Sequence, residues 1–526
     1  MNIKGGYYMK RSFFTIIVLC VLLLCSCSIL TDVENTPSPS VSPSPESSPT
    51  ATPDYTESWA SAKKLVWVSD GVGTLGADRQ IFIDFNNMLL DKGADFIVEF
   101  VDIDSFDFME YQTYIRDMKN QGRQADLINT GVGESGVEFN TFVEAVKDGL
   151  LEPLDDFLET KEGQKLYNSF DENAWESVKT GNKIYGINNK ASLATSTYLH
   201  INKEVQEKYS IQLPEALDNL TNLESAFELI TRSQVSLDED EPIIPLDNYL
   251  PRVKDMIDCA YMDSGIAVKY DEKGFPLAFN LFEEAEFISL MELAYDYIDR
   301  GLIRIDQRAF DNINNGFFFA TIDRTDPEEF YDGKLLLSRV IDVVSYKLSE
   351  GYVIGEKNRV NGIASWSQNK EEAFKLLTMI NTDSDLSNLL RYGIVDKHYE
   401  LVNGKVSELD LGGRPPGYFS PANKIITHPI GLEPTNKAEV YREVNSITKM
   451  SPIAGFTLDK SKIEDELAAI KGIYDKYEKI YTGEAKNIKE ELKKANSELK
   501  DQGIDEVLDE INLQLTGWWT EKENSR

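Results

Sequence analysis

Cysteine is scarce in this chain of 526 residues and unevenly placed: Cys20, Cys25 and Cys27 lie near the start and Cys259 stands alone. No pair of CxxC motifs follows, which excludes a thiolate zinc site, and a disulfide framework is excluded as well. Histidine is scarcer still. His200, His398 and His428 are spread along the chain without HExxH or HxH spacing, so no metal and no cofactor is expected. Cations are in deficit, with 54 Lys and Arg against 89 Asp and Glu and a formal net charge of −35. Such a surface repels phosphates and releases no counterions from them, which argues against a nucleic-acid partner. A long hydrophobic run is missing too. The apolar stretch 13–24 is about a dozen residues, too short for a spanning helix. No GxSxG elbow or activated-cysteine signature is present.

What is there suffices for sizeable cores: 41% apolar and 10% aromatic residues. The length suggests two to four domains, since one core seldom grows past about 250–300 residues. Lys4, Lys10 and Arg11 precede the apolar stretch, which ends in Leu24-Cys25-Ser26-Cys27. This resembles the bacterial lipobox, and the resemblance implies a diacylglycerol on the Cys27 sulfur and cleavage before it. Residues 1–26 then read as a signal peptide, with Met1 or Met9 as the start. Their loss takes the formal charge from −35 to −38. Residues 27–58 read as a tether, with Pro37, Pro39, Pro43, Pro45, Pro49 and Pro53 favouring extended polyproline II. The chain is thus expected at the outer face of a cell membrane, held by lipid.

The folded part opens with strand 64–69, helix 79–90, strand 96–103, helix 108–121, strand 125–129 and helix 138–147, a pattern that predicts a parallel sheet. Segments 71–76 and 131–136 both match GxGxxG between a strand and a helix. A duplicated loop outside a cell points to tight turns lining a cleft rather than to a nucleotide. Helical patterns follow at 223–231, 253–262 and 283–300. Segment 362–367 reads as a strand and 370–380 as a helix. The end is helical over 462–481, 485–502 and 505–518.

"LEPL" at 151–154, "KIYGI" at 183–187, "YLHINKEV" at 198–205 and "NGIASWSQNKEEAFKLL" at 361–377 occur in this order. With the lipobox, they resemble family 1 extracellular solute-binding proteins, the receptors of carbohydrate ABC importers. "LLRYGIVDKHY" at 389–399, "SPIAGF" at 451–456, "IEDELAAI" at 463–470 and "ANSELKDQGIDEVLDEINLQL" at 495–515 are similar to the domain of unknown function that ends one lipoprotein subfamily. The residues between Ile394 and His398 depart from the subfamily pattern, and so does the loop around Tyr418, where its glycine is replaced.

The resemblance implies an α/β, two-lobed, periplasmic-binding-protein-like fold of type II. Each lobe would be a mostly parallel sheet flanked by helices. The first would span 59–193 and 358–394. The second would span 194–357 and 395–526, its C-terminal helices packing across both. Implied as well are a monomer without catalysis, an oligosaccharide ligand taken up by hinge closure, and permease subunits of an ABC transporter as partners. His398 would be a buried, hydrogen-bonded histidine holding the lobes together. A secreted polysaccharide-processing enzyme, glycosidase or lyase, is the alternative from another class, since 89 acids always offer a carboxylate pair on paper. An anchored ligand sensor is a third.

Sugars call for aromatic faces and paired polar groups. Tyr185 is a candidate, with core packing as its other reading. Asn188 and Asn189 suit hydroxyls or a turn. Asp70 and Glu134 sit by the glycine loops, either facing ligand or capping a turn. Trp366 lies in the returning strand or in the lobe core. Tyr418 sits in a Gly/Pro-rich loop, and Asn423 follows it. Packing accounts for Trp518 and Trp519, and Cys259 reads as a small core residue in a helical stretch.

Overall fold

The computed structural model describes residues 56–69, 77–103, 108–130, 141–188, 191–217, 219–237, 243–263, 265–304, 314–353, 360–409 and 423–524. Residues Tyr55–Arg526 form one compact unit, and Met1–Asp54 lie outside the described residues.

The strand Lys63–Ser69 is buried continuously from Leu65 to Ser69, as a parallel strand covered on both faces must be. It pairs parallel with Phe96–Asp102 and with Leu127–Asn129. Parallel pairing needs crossovers, and helices Arg79–Asp91 and Phe108–Asn120 supply them. Asp78 caps the first by accepting from Gln80 N at 3.0 Å. Asn86 on that helix exchanges two hydrogen bonds with the Val98 peptide, at 2.7 and 3.0 Å, which covers the sheet's edge strand. Val360–Ile363 returns antiparallel beside Leu127–Asn129, and Ile187–Asn188 completes a 5-stranded sheet. Its core takes in Leu376, Leu377, Leu386 and Leu390 from the helices after the returning strand.

The returning strand ends at Ile363, earlier than its apolar text suggests. The buried Asp126 carboxylate pulls the following residues into a turn. It accepts from Ser367 Oγ at 2.5 Å and Asn369 Nδ2 at 3.0 Å, and on its other oxygen from Val66 N at 2.8 Å.

A second sheet has 6 strands, with Ser196–Asn202 between Val340–Ser349 and Phe318–Thr325, and Ile244–Asp247 at the edge. Here the expectation of a mostly parallel sheet fails. Ser196–Asn202 runs antiparallel to both neighbours, and the Phe318–Thr325 pairing with Ile244–Asp247 is parallel. The expected helix 253–262 is replaced by short turns and the strand Ala260–Asp263. Antiparallel partners Ile266–Tyr270 and Pro276–Asn280 override its helical spacing. Cys259 therefore sits before a strand, buried, its thiol pushed up to about 11 by that burial.

The C-terminal helices join the second core alone, through Leu467, Ile470, Leu499, Ile511 and Leu515, rather than spanning both lobes. Asparagines pin them to the three-stranded sheet. Asn512 accepts from Ala278 N at 2.7 Å, and Asn496 Oδ1 accepts from Asn280 Nδ2 at 2.9 Å.

Residues 191–195, 350–353 and 448–452 lie where the chain passes between the lobes. The Asn445 amide accepts from Leu193 N at 3.0 Å and donates to Ala191 O at 2.9 Å. Val353 N donates to Lys449 O at 2.8 Å, and Ser451 N to Val353 O at 3.1 Å. Gly351 is needed at its place: φ is +69°, and a Cβ would meet Thr195 O at 2.6 Å. A buried charge cluster reinforces this hinge. Arg391, 1% exposed on a first-lobe helix, reaches both Glu328 oxygens of the second lobe at 3.2 Å. Beside it, Glu433 accepts from Lys437 Nζ at 2.9 Å and from Tyr441 OH at 3.0 Å. Burial pushes the Lys437 ammonium down to about 8.

His200 is fully buried in the second sheet, 2.7 Å from Ser345 Oγ and packed on Tyr198 and Phe330. Burial pushes its imidazole from 6.5 down to about 4. The unfolded chain therefore binds the extra proton between these values, and stability falls as pH drops through that window. Replacing His200→Gln should abolish about 2 kcal/mol of the stability lost between pH 7 and pH 5, read by urea unfolding at both. Equal losses in the two proteins would contradict a neutral buried imidazole. Arg391→Met should cost about 3 kcal/mol by stranding Glu328, and adding Glu328→Gln should restore at least half of it. Thermal and urea unfolding of the set measures this, and strict additivity would refute the coupling.

Candidate functional site

The carboxyl ends of the three parallel strands, at Ser69, Asp102 and Asn129, share one edge of the first sheet. Asn188 ends, and Val360 begins, at that same edge, since they pair with each other. Short segments run from there to Ser196 and from Ser349, which mark one edge of the second sheet together with Thr325. The two edges are therefore joined by short stretches of chain. Open α/β sheets bind ligands at such carboxyl ends.

The first-lobe edge is built from amides. Asn129 Nδ2 donates to Asn361 Oδ1 at 3.0 Å, and both residues are buried. Tyr111 OH donates to Asn129 O at 2.5 Å, and Thr130 Oγ1 accepts from Val360 N at 3.1 Å. Tyr185-Gly186 crosses close over the returning strand. A Cβ on Gly186 would come 2.8 Å from Asn361 O, so only glycine lets the backbone pass.

The second-lobe edge is charged. Arg252 forks between Asp255 at 3.2 Å and Asp323 at 2.5 Å, and Arg324 reaches Asp255 at 3.3 Å. Asp247 accepts from Thr321 Oγ1 at 3.0 Å, and burial pushes its carboxyl up to about 6. Asn248 follows in the left-handed region, at φ 59°, with its Nδ2 donating to Ile322 O at 2.9 Å. Glu329 is pushed up to about 7, first by burial and then by Asp326, Asp323 and Glu328. Tyr198 and Phe330 add rings 5.3 Å apart. The guanidiniums can donate to a polyhydroxyl ligand and the carboxylates that hold them can accept from it. Among the described residues no group of three or more His, Cys, Asp or Glu could hold a metal ion.

Several sequence candidates fall elsewhere. Asp70, Glu134, Asn189 and Tyr418, with Cys27, lie outside the described residues. Asn188 is at the first-lobe edge, buried and paired with Val360, and Tyr185 is half-buried against the first core. Trp366 is not in the returning strand and not at this edge. Its indole N–H donates to Arg123 O at 2.8 Å, ahead of the strand Leu127–Asn129 and so at the opposite end of the sheet. Asn423 is a cap rather than a ligand group. Its side chain accepts from Ile425 N at 3.0 Å and donates to Asn381 O at 3.1 Å. His398 does not bridge the lobes. It accepts from Ile394 N at 2.9 Å and sits 3.4 Å from Asp78, both within first-lobe surroundings. Gly393, at φ +79°, leaves room for the ring. Sequence reading missed Asn129, Asn361, Arg252 and Asp323. The turn text Asp247-Asn248 was the one local signal near them.

Residues 452–520 match the family described as Domain of unknown function (DUF3502). Over 382 residues the chain is 24% identical to a carbohydrate ABC transporter substrate-binding protein of Streptococcus pneumoniae serotype 4, covering 67% of this chain and 73% of that protein. In structure it is similar to the N-glycan transport solute binding protein (NgtS) from Streptococcus pneumoniae, with a TM-score of 0.64 and 19% identity over 88% of this chain and 99% of that one. The same protein in complex with Man1GlcNAc matches with a TM-score of 0.57 and 18% identity, over 86% of this chain and 98% of that one. The chain thus has the two-lobed fold of the solute-binding proteins and carries a DUF3502 match at its C-terminal end.

Proposed function

We propose that this chain is a non-catalytic receptor that captures an oligosaccharide between its lobes and delivers it to the permease subunits of an ABC importer. The observation that carries the reading is the pair of sheet edges joined by short stretches of chain, in a fold that follows a glycan-transport binding protein along 88% of the chain. Amides at Asn129, Asn188 and Asn361 suit sugar hydroxyls from one side, and the Arg252–Asp323 pair suits them from the other. Asp70, Glu134, Asn189, Tyr185 and Tyr418 complete the site in this reading, with Tyr418 offering a face to sugar C–H groups. Ligand shifts the lobes toward closure only by as much as it binds the closed form more tightly, so contacts from both edges are required.

The receptor stands outside the cell membrane, anchored through lipid on Cys27 and spaced by residues 27–58. At about 3.1 Å per residue, such a proline-rich spacer can hold the lobes tens of ångströms from the bilayer. Several acyl chains on one residue anchor stably, at about 0.8 kcal/mol per buried CH₂.

Calorimetry with mannose/N-acetylglucosamine, fructose- and glucose-based oligosaccharides should show at least one binding with a Kd of about micromolar order. A folded protein that binds none would overturn the proposal. Tyr418→Ala should weaken that binding about tenfold with an unchanged melting temperature, and unaltered affinity would remove the residue from the site. Cys27→Ala should move the protein from the membrane fraction to the medium, and retention at the membrane would rule out this anchor.

A further inference from the structure

A cavity of about 590 Å³ is lined by none of the edge residues named above. One wall belongs to the first lobe. It consists of Glu176, Lys179 and Asn182, on and before the hairpin Lys179–Thr180/Lys183–Ile184. Val178 and Ile184 on this hairpin are buried in the first core. The other wall belongs to the second lobe. It consists of the Ala454-Gly455 turn with Trp518 and Lys522 of the helix Ile504–Asn524. Ile453, Phe456, Ile511 and Leu515 root this wall in the second core. The walls meet at Gly455, where φ is +82° and a Cβ would stand 3.1 Å from Lys179 O.

Trp518 is half-buried and fixed edge-on against Phe456 at 5.4 Å. Lys522 stands 4.8 Å from its ring centre and donates to Ala454 O at 3.0 Å. Lys179 pairs with Glu176. Each ammonium of the cavity thus already has a partner, and Glu521 adds a further carboxylate to the lining. An anion would find no unmatched cation here. A neutral ring with vicinal hydroxyls would find an indole beside it and alternating donors and acceptors at the rim, within a volume suited to a mono- or disaccharide.

We propose that this cavity is a second carbohydrate site, which takes a single terminal sugar residue between the hairpin of the first lobe and the C-terminal helix of the second. Because its walls move with different lobes, its occupant favours one interlobe angle. By linkage, a sugar here changes affinity in the main cleft by the same factor as the cleft ligand changes affinity here. The sugar class is argued from the cavity alone, so the proposal stands apart from the reading of the main cleft.

The test titrates the full chain with mannose and with N-acetylglucosamine, followed by tryptophan fluorescence. At least one should give a saturable change with a Kd of roughly millimolar order. Trp518→Ala should weaken it at least about tenfold, and Glu521→Ala, a change on the exposed helix face that leaves the fold intact, about threefold. Tyr418→Ala should leave the titration as it is. Absence of a saturable change in the native chain would overturn the proposal, as would a titration indifferent to both cavity variants. Equal weakening by Tyr418→Ala would place the sugar in the main cleft and overturn it as well. Failure of every oligosaccharide in the main cleft, with this titration intact, would leave the second site standing.

Discussion

The Asn445 amide accepts from Leu193 N and donates to Ala191 O, so the peptide that leads the chain out of the first sheet is fixed from outside that sheet. The end of the same helix runs into the third connecting segment, whose Lys449 and Ser451 hold Val353 of the second. The helix that carries Asn445 therefore fixes the first connection by a side chain and leads into the third, whose backbone holds the second. Charge is buried beside it, at Arg391, Glu433 and Lys437, where burial costs energy unless each group is matched. The matching is close to complete, and the Arg391–Glu328 pair is made between lobes, so its geometry senses their relative position.

The lobes solve the same problem with different sheets. The first relies on parallel strands and crossover helices, and puts neutral amides at the carboxyl-end edge of its sheet. The second relies on antiparallel pairing, and puts guanidinium and carboxylate groups there. Amides adapt to hydroxyls as donor or acceptor, whereas a paired guanidinium offers fixed directions. A ligand held by both would be adjusted on one side and oriented on the other.

Much of the first lobe was legible in the sequence, because a run such as KLVWVS carries a strand's length and apolar content in itself. The two-lobed arrangement was reached through ordered motifs rather than through periodicity. Strand direction in the second lobe was not legible, since alternation looks the same in either direction. Trp366 misled for a related reason: an aromatic in apolar text says nothing about which end of a sheet it occupies, and that end was decided by Asp126, more than 200 residues earlier. Asn423 has a ligand's chemistry and a cap's geometry, and only the position of Asn381 distinguishes them. Arg252 and Asp323 are separated by 71 positions, so no spacing rule joins them.

The returning strand Val360–Ile363 and the terminal helix carry one more consequence, in the order of synthesis. The first sheet lacks its fourth strand until residue 363 has been made, and its core lacks Leu390 until later still. The second core waits for Leu515. Neither lobe can close on a partial chain. The first is completed at Leu390 and the second only at Leu515, both through contacts of long sequence separation, which makes folding slow.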